Sequence, residues 1–106
     1  MNGLNSLIIE GNLISREREE NTFKFMVAYN HFYKDENGNK RNETSYFDVE
    51  AYGKLADFCE QQFQKGCGVR IVGRLKQKRW TDESGKHQSR IFIVAEHVEF
   101  KFRISK

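Results

Sequence analysis

The stretch KGCGVRIVGRLKQKRWTDESG, residues 65–85, alternates between two kinds of side chain and predicts an amphipathic β-strand. Its odd-numbered residues from Val69 to Gln77 are mostly apolar, whereas the even-numbered ones carry four cations and then the single tryptophan. Because successive side chains of a strand point to opposite faces, one face is expected to pack on a core and the other to carry the charges. The cations and the tryptophan are Arg70, Arg74, Lys76, Lys78 and Trp80. Residues 82–85 then predict a turn.

Four other segments are predicted to be strands and one a helix. The strands are residues 6–14, 22–33, 44–52 and 89–104. Residues 54–64 place apolar side chains at helical spacing, and Gly66 stands where a C-terminal cap of that helix is expected.

Glycines and polar runs predict where the strands bend and turn. Gly11, inside the first strand, predicts a bulge or a sharp bend. The charged run 16–21 is expected to form a short loop, and the polar run 34–42 a long hairpin tip around Asn37 and Gly38.

The predicted order β-β-β-α-β-β indicates the fold class. It is the order of the all-β OB-fold, a five-stranded Greek-key barrel with one short helix between strands 3 and 4 that binds oligonucleotides on its second and third strands. Element order does not determine strand pairing, so a five-stranded sheet of another topology is the alternative.

Composition is typical of a single soluble domain spanning residues 1–106, with 38% hydrophobic and 31% charged residues. No apolar run reaches the ~20 residues of a membrane helix, and the start MNGLNSL lacks the features of a signal peptide, which favours a cytoplasmic location. Cys59 and Cys67 are expected to be reduced thiols, on the inner face of the helix and in a turn. The three histidines are scattered, so neither a metal nor another cofactor is expected.

Charge and aromatic residues together predict a nucleic-acid surface. Of the 18 basic and 15 acidic residues, seven basic and only two acidic ones fall in residues 69–90. Four aromatic residues have the parity opposite to the core residues of their strands, and each offers a face on which a base can stack. They are Phe32, Tyr46, Tyr52 and Trp80. The cations expected to hold phosphates are Arg70, Arg74, Lys76, Lys78 and Arg79.

Two observations weigh against this interpretation. A basic strand face is often merely solvated, and an exposed aromatic ring can be partly core or lie at a subunit contact. Asp48 and Glu50 also share the face of Tyr46 and Tyr52, where carboxylates would repel phosphates unless they pair with lysines across the sheet.

Several blocks of sequence resemble the bacterial single-stranded DNA-binding protein family, in matching order along nearly the whole chain. They are IIEGNL at 8–13, FDVEAYGKLADFC at 47–59, KGCGVRIVGRL at 65–75, RWTDESGK at 79–86 and IVAEHVEF at 93–100. The resemblance implies an OB-fold protein that coats exposed single strands in DNA replication, repair and recombination, in the bacterial cytoplasm and nucleoid. It also implies stacking aromatics at Phe32, Tyr46, Tyr52 and Trp80, three of which are tyrosine or phenylalanine where tryptophan is common in the family.

The same resemblance implies an assembly and a missing segment. Members of the family are usually homotetramers, with the first strand at a subunit interface, which here points to Leu4, Ser6, Ile8 and Glu10. Members also continue into a Gly/Pro/Gln-rich linker with an acidic tip that recruits replication and repair enzymes. This sequence ends at Lys106 in the basic run FKFRISK, so such recruitment is not expected. The usual Asp-Pro and glycine after GNL are absent as well.

Three other functions are compatible with parts of the sequence. A small nuclease would need a third metal ligand beside Asp48 and Glu50, and none has recognisable spacing, so the chain is expected not to be an enzyme. A dimeric adaptor of the primosomal type, which bridges replication proteins, matches the chain length and the missing tail. A cold-shock-like RNA-binding barrel is disfavoured because no RNP-type aromatic motif is present.

Overall fold

The computed structural model describes residues 1–101, which form five long strands and one helix. The elements are β1 (Leu7–Glu19), β2 (Thr22–Lys34), β3 (Lys40–Tyr52), α1 (Gly53–Gln62), β4 (Gly68–Thr81) and β5 (His87–Phe100). The predicted order of elements is therefore confirmed. The fifth strand was expected to reach residue 104, and the part of that expectation beyond residue 101 lies outside the described residues.

The five strands close into a barrel in the order β1-β2-β3-β5-β4. β4 closes it by pairing antiparallel with β1, from Leu7 opposite Gly73 to Asn12 opposite Gly68. β3 and β5 meet in a short parallel contact, with Val49 opposite Ile93 and Glu50 opposite Val94. This closed five-stranded barrel, with one helix between β3 and β4, is the predicted OB-fold.

Alternation along the strands produces the core. The odd-numbered side chains of β2 at Phe23, Phe25 and Val27 are buried, and Val49 of β3 and Ile71 of β4 join them. Each large apolar side chain removed from water stabilises the barrel by ~1.5–3 kcal/mol. The helix α1 buries Ala56 and Cys59 against this core, as the sequence indicated for Cys59. This ten-residue helix falls short of membrane-spanning length, and no helix within residues 1–101 has the length and apolarity to span a bilayer.

Two predicted loops are shorter than expected. β1 continues through the charged run to Glu19, and only Glu20 and Asn21 form the turn to β2. The charges are compatible with a strand because they pair outside the core; Arg18 Nη2 lies 2.9 Å from Asp57 Oδ1. The hairpin tip shrinks in the same way, to residues 35–39, where the Asp35 carboxylate accepts the backbone N–H groups of the turn.

Gly11 has a different role from the one predicted. The pairing of β1 with β2 shifts register between Leu13 and Ser15, not at Gly11. At Gly11 the strands approach so closely that a Cβ atom would lie 2.4 Å from the carbonyl oxygen of Ala28. Glycine is therefore required there by packing.

Three further local expectations are wrong. The helix has Phe63 as its C-cap in extended conformation, and Gly66 forms a separate left-handed turn with φ 84°. Phe47 and Leu75, which have core parity, are exposed. Phe47 lies opposite the buried Val27 and Leu75 opposite the buried Ile93, so both are at the edge of the core, where they line an apolar depression.

Candidate nucleic-acid interface

One face of the β2–β3 hairpin carries three of the four aromatic residues singled out by their parity. Tyr52 lies opposite Thr22, Tyr46 opposite Ala28, and Phe32 opposite Asn42, so their side chains share one side of the ribbon. We call this side the aromatic face. Phe32 is 73% exposed, Tyr46 60% and Tyr52 38%. All three rings are therefore accessible.

Trp80 reaches this face from a different part of the barrel. It lies on β4, whose partners are β1 and β5, and not on either strand of the β2–β3 hairpin. The indole, 42% exposed, nevertheless lines an open groove of ≈ 770 Å³ together with Met26, Asp48 and Glu50 of the aromatic face. We call this depression the Trp80 groove.

The aromatic residues lie along a path and not in one pocket. Tyr52 borders a second depression with Lys76 and Lys78, and Lys78 also lines the Trp80 groove, so this lysine lies between Tyr52 and Trp80. Phe32 lies apart from both, beside Glu10 and Lys101. A path from Tyr52 to Phe32 crosses about ten strand positions, or ~33 Å at the usual rise per residue.

The five predicted cations fall into two groups. Lys76 and Lys78 make no hydrogen bond or ion pair anywhere in residues 1–101 and border the same depression as Tyr52, and Lys78 also lines the Trp80 groove. The three arginines have partners. Arg70 Nε donates to Glu10 Oε2 at 2.6 Å, Arg74 Nε lies 3.8 Å from Glu96 Oε2, and Arg79 Nε donates to Gln77 Oε1 at 3.1 Å.

Two of those arginines are poorly placed for contact with a strand in the groove. The Arg70 partner Glu10 also accepts from Lys101 Nζ at 2.6 Å, and the two cations lower the pKa of Glu10, with the Lys101 hydrogen bond as the larger cause. Arg79 has odd parity and belongs to the side of β4 opposite Lys78.

The carboxylates that opposed the nucleic-acid interpretation are neutralised, but not by lysine. Arg90 of β5 donates from Nη1 to Asp48 Oδ2 at 3.1 Å and from Nη2 to Glu50 Oε2 at 2.7 Å. Glu50, only 8% exposed, also accepts the hydroxyl of Tyr52 at 2.8 Å. Burial first, and then this hydrogen bond, raise the pKa of Tyr52 to about 12.

The positive and negative side chains that line the Trp80 groove therefore nearly cancel, and few of them lack an ion-pair partner. Four basic and three acidic residues line it: Arg16, Lys24, Lys78 and Arg90, with Glu17, Asp48 and Glu50. Lys24 is held by Glu19 at 2.9 Å. Arg16 lies 5.8 Å from the centre of the Phe63 ring, so Lys78 is the cation of this groove without a hydrogen bond, ion pair or ring contact among residues 1–101.

Sequence reasoning missed three cations near the predicted site. Arg90 was counted only in the basic segment, although it lies opposite Lys78 in the β4–β5 pairing. Lys34 and Lys40 face each other at the end of the hairpin, share the parity of Phe32, and make no ion pair among the described residues. Their parity with Phe32 was the available signal for the two lysines.

The expected subunit-interface residues lie at the start of the chain and along β1. Leu4 and Ile8 are exposed, as are Ser6 and Glu10. Ile8 borders an apolar depression that also includes Tyr29, Phe47 and Leu75. No group of three or more potential metal-ligating side chains occurs within residues 1–101.

Comparisons with known proteins identify relatives of this chain. The family model described as "Single-strand binding protein family" matches residues 4–101. A single-stranded DNA-binding protein of Aquifex aeolicus (strain VF5) is 45% identical over 75 residues, which cover 71% of this chain and 50% of that protein. The chain spans about half the length of the curated relatives that it matches.

Solved structures show the same fold at lower identity. A Plasmodium falciparum protein solved as an SSB complex with ssDNA superposes with a TM-score of 0.78 at 18% identity, covering 96% of both chains. A deletion mutant of the single-stranded DNA-binding protein from Thermus aquaticus gives a TM-score of 0.79 at 23% identity, covering 92% of this chain and 50% of that one.

Proposed function

The chain belongs to the single-strand binding protein family, and we propose on that basis that it binds single-stranded DNA without sequence specificity. The family is one of non-catalytic DNA-binding proteins, so the chain is not an enzyme. One observation supports the proposal most directly: Lys78, without an ion pair in residues 1–101, lies between the exposed rings of Tyr52 and Trp80. A cation between two stacking surfaces matches the alternation of phosphate and base along a strand.

Binding uses stacking for most of its free energy and cations for orientation. Bases stack on Phe32, Tyr46, Tyr52 and Trp80, each ring contributing ~1–3 kcal/mol with little dependence on base identity. Lys76 and Lys78 meet the phosphates first because neither makes a hydrogen bond or ion pair within residues 1–101. Arg70, Arg74 and Arg79 already have partners. They add to the positive potential of the surface, or contact phosphates after they release those partners.

The strand runs along the aromatic face, entering near Tyr52 and Trp80 and continuing over Tyr46 toward Phe32. The extent of this face suits the ~4–16 nucleotides that one OB-fold covers. Lys34 and Lys40 extend the cationic part of the path to the end of the hairpin.

In the cell, the protein coats exposed single strands during DNA replication, repair and recombination, in the bacterial cytoplasm. It does so as a homotetramer in which the first strand, with Leu4, Ser6, Ile8 and Glu10, lies at a subunit interface. The exposed side chains of Leu4 and Ile8 support this assembly. Native mass spectrometry tests it, since a dimer would favour the adaptor function instead.

Fluorescence anisotropy with labelled oligo(dT) and a duplex of equal length tests the binding proposal. Each should be titrated at low and at moderate salt. We expect tight binding to the single strand that persists at moderate salt, because stacking is not screened, and weak binding to the duplex, whose bases are not free to stack. Equal binding to both nucleic acids, abolished by salt, would contradict the proposal.

A further inference from the structure

We propose that Arg90 is a positioning residue for single-strand binding, which acts by holding Asp48, Glu50 and through Glu50 the ring of Tyr52. This inference rests on the proposed function and deepens it. Arg90 lies in none of the sequence blocks quoted above, and parity alone does not show what it contacts. The role follows from its contacts across the barrel.

Arg90 joins β5 to β3 at the point where these strands meet. Its two terminal nitrogens each donate to a different carboxylate, at 3.1 Å to Asp48 and 2.7 Å to Glu50. Its guanidinium carbon lies 4.8 Å from the centre of the Phe92 ring, which supports the group from the same strand. The guanidinium is therefore held by three neighbours, although the side chain is 35% exposed.

The pairing explains how carboxylates can lie on a face that binds DNA. Asp48 and Glu50 line the Trp80 groove, where unpaired negative charge would repel a phosphate bound to Lys78. Glu50 is nearly buried, so leaving its charge without a partner would also destabilise the fold. Arg90 removes both effects at once.

The same contacts set the positions of Lys78 and Tyr52. Arg90 lies directly opposite Lys78 in the β4–β5 pairing, where two like charges repel. The carboxylates draw Arg90 toward β3 and leave Lys78 as the free cation. Glu50, fixed by Arg90 through Oε2, uses Oε1 to accept the Tyr52 hydroxyl, which restrains the ring on which a base stacks.

The experiment compares oligo(dT) affinities of four proteins at low salt: wild type, R90M, the triple variant D48N/E50Q/R90M, and R18M. The triple variant removes the carboxylates together with their partner, and its glutamine keeps an oxygen to accept the Tyr52 hydroxyl. R18M is the matched control, because Arg18 also pairs with an acidic side chain, Asp57, but on the helix and outside the Trp80 groove. Thermal unfolding of each protein ensures that all are compared while folded.

We expect R90M to lose about tenfold in affinity, since two carboxylates then face the phosphates without a partner. The triple variant should return to within about threefold of wild type, and R18M should bind like wild type. A residue that contacts phosphate directly would not be rescued by neutralising its carboxylate partners.

Two results would overturn the inference while leaving the proposed function intact: wild-type affinity in R90M, or a triple variant that binds as weakly as R90M. If R90M does not fold, the oligo(dT) affinity of the triple variant alone tests the inference. A tenfold loss of affinity in that variant would mean that Arg90 contacts phosphate directly. A wild-type protein that fails to bind oligo(dT) would contradict the proposed function itself.

Discussion

The hydroxyl of Tyr52 donates a 2.8 Å hydrogen bond to Oε1 of Glu50, two residues earlier on the same strand. The two side chains lie on the same face of β3, because residues i and i+2 of a strand point the same way. The bond anchors the polar end of an otherwise exposed ring. It therefore links the ionised state of a nearly buried carboxylate to the orientation of a proposed stacking surface.

This relationship predicts an unusual ionisation of Tyr52. Burial and the bond to Glu50 raise its pKa to about 12, against the usual ~10 of a tyrosine. Because the folded-state value is raised, the stabilisation is fully present below pH ~10 and is lost as pH rises toward 12. An ultraviolet titration of wild type and Tyr52→Phe should show one phenol near 12 that is missing in the variant. A difference curve centred near 10 would contradict it.

Two substitutions at Tyr52 separate the ring from the hydroxyl. Tyr52→Ala should weaken oligo(dT) binding by ~1–3 kcal/mol, since a stacking surface is removed. Tyr52→Phe keeps the ring but loses its restraint, so it should bind less tightly than wild type and more tightly than Tyr52→Ala, while losing ~1 kcal/mol of unfolding free energy with the hydrogen bond. Binding isotherms and denaturant unfolding measure the two effects. Unchanged affinity in the alanine variant would remove Tyr52 from the site.

The lysines of β4 should account for more of the salt dependence than the arginine before them. Replacing Lys76 or Lys78 with alanine should flatten the slope of log affinity against log salt by roughly 0.7 for each phosphate that is no longer neutralised. Arg70→Ala is the comparison variant and should flatten the slope by less, because Arg70 is already paired with Glu10. Affinity measured at four or more salt concentrations gives the slopes. A larger change for Arg70 than for Lys78 would reverse the assignment.

The close approach at Gly11 predicts a large asymmetry between two glycines. Gly11→Ala would place a methyl group 2.4 Å from the Ala28 carbonyl oxygen and should destabilise the barrel by ~1–3 kcal/mol. Gly68→Ala meets only the Lys101 side chain, at 3.5 Å, and should have little effect. Urea unfolding compares the two. Equal free energies of unfolding for the two variants would mean that β1 and β2 can move apart at Gly11 with little loss of stability.

The sequence predicts the barrel and the exposed aromatics because both depend on local alternation. Parity alone predicted which side of its strand each of Phe32, Tyr46 and Tyr52 occupies. The contact of Arg90 with Asp48 was beyond such reasoning, since 42 residues separate them and only the β3–β5 pairing brings them together. The loop predicted at 16–21 was wrong for a similar reason: Arg18 is compatible with a strand only because α1 provides Asp57.

The position of Trp80 needed the closed barrel as well. Its strand is separated from β3 by β5, yet the indole lines the same groove as Asp48 and Glu50. Parity also predicted burial where the structure has exposure, at Phe47 and Leu75. Both have core parity and lie opposite the buried Val27 and Ile93, yet both side chains are exposed at an apolar depression.

The most direct test of the central claim, that bases stack along the aromatic face, is the fluorescence of Trp80 during titration with oligo(dT). Trp80 is the single tryptophan of the chain, so the signal reports on one proposed stacking position. We predict strong quenching that saturates with the single strand, persists at moderate salt and is small with a duplex of equal length. Binding of oligo(dT) at full affinity with unchanged Trp80 fluorescence would contradict the account, because the strand would then bypass the Trp80 groove.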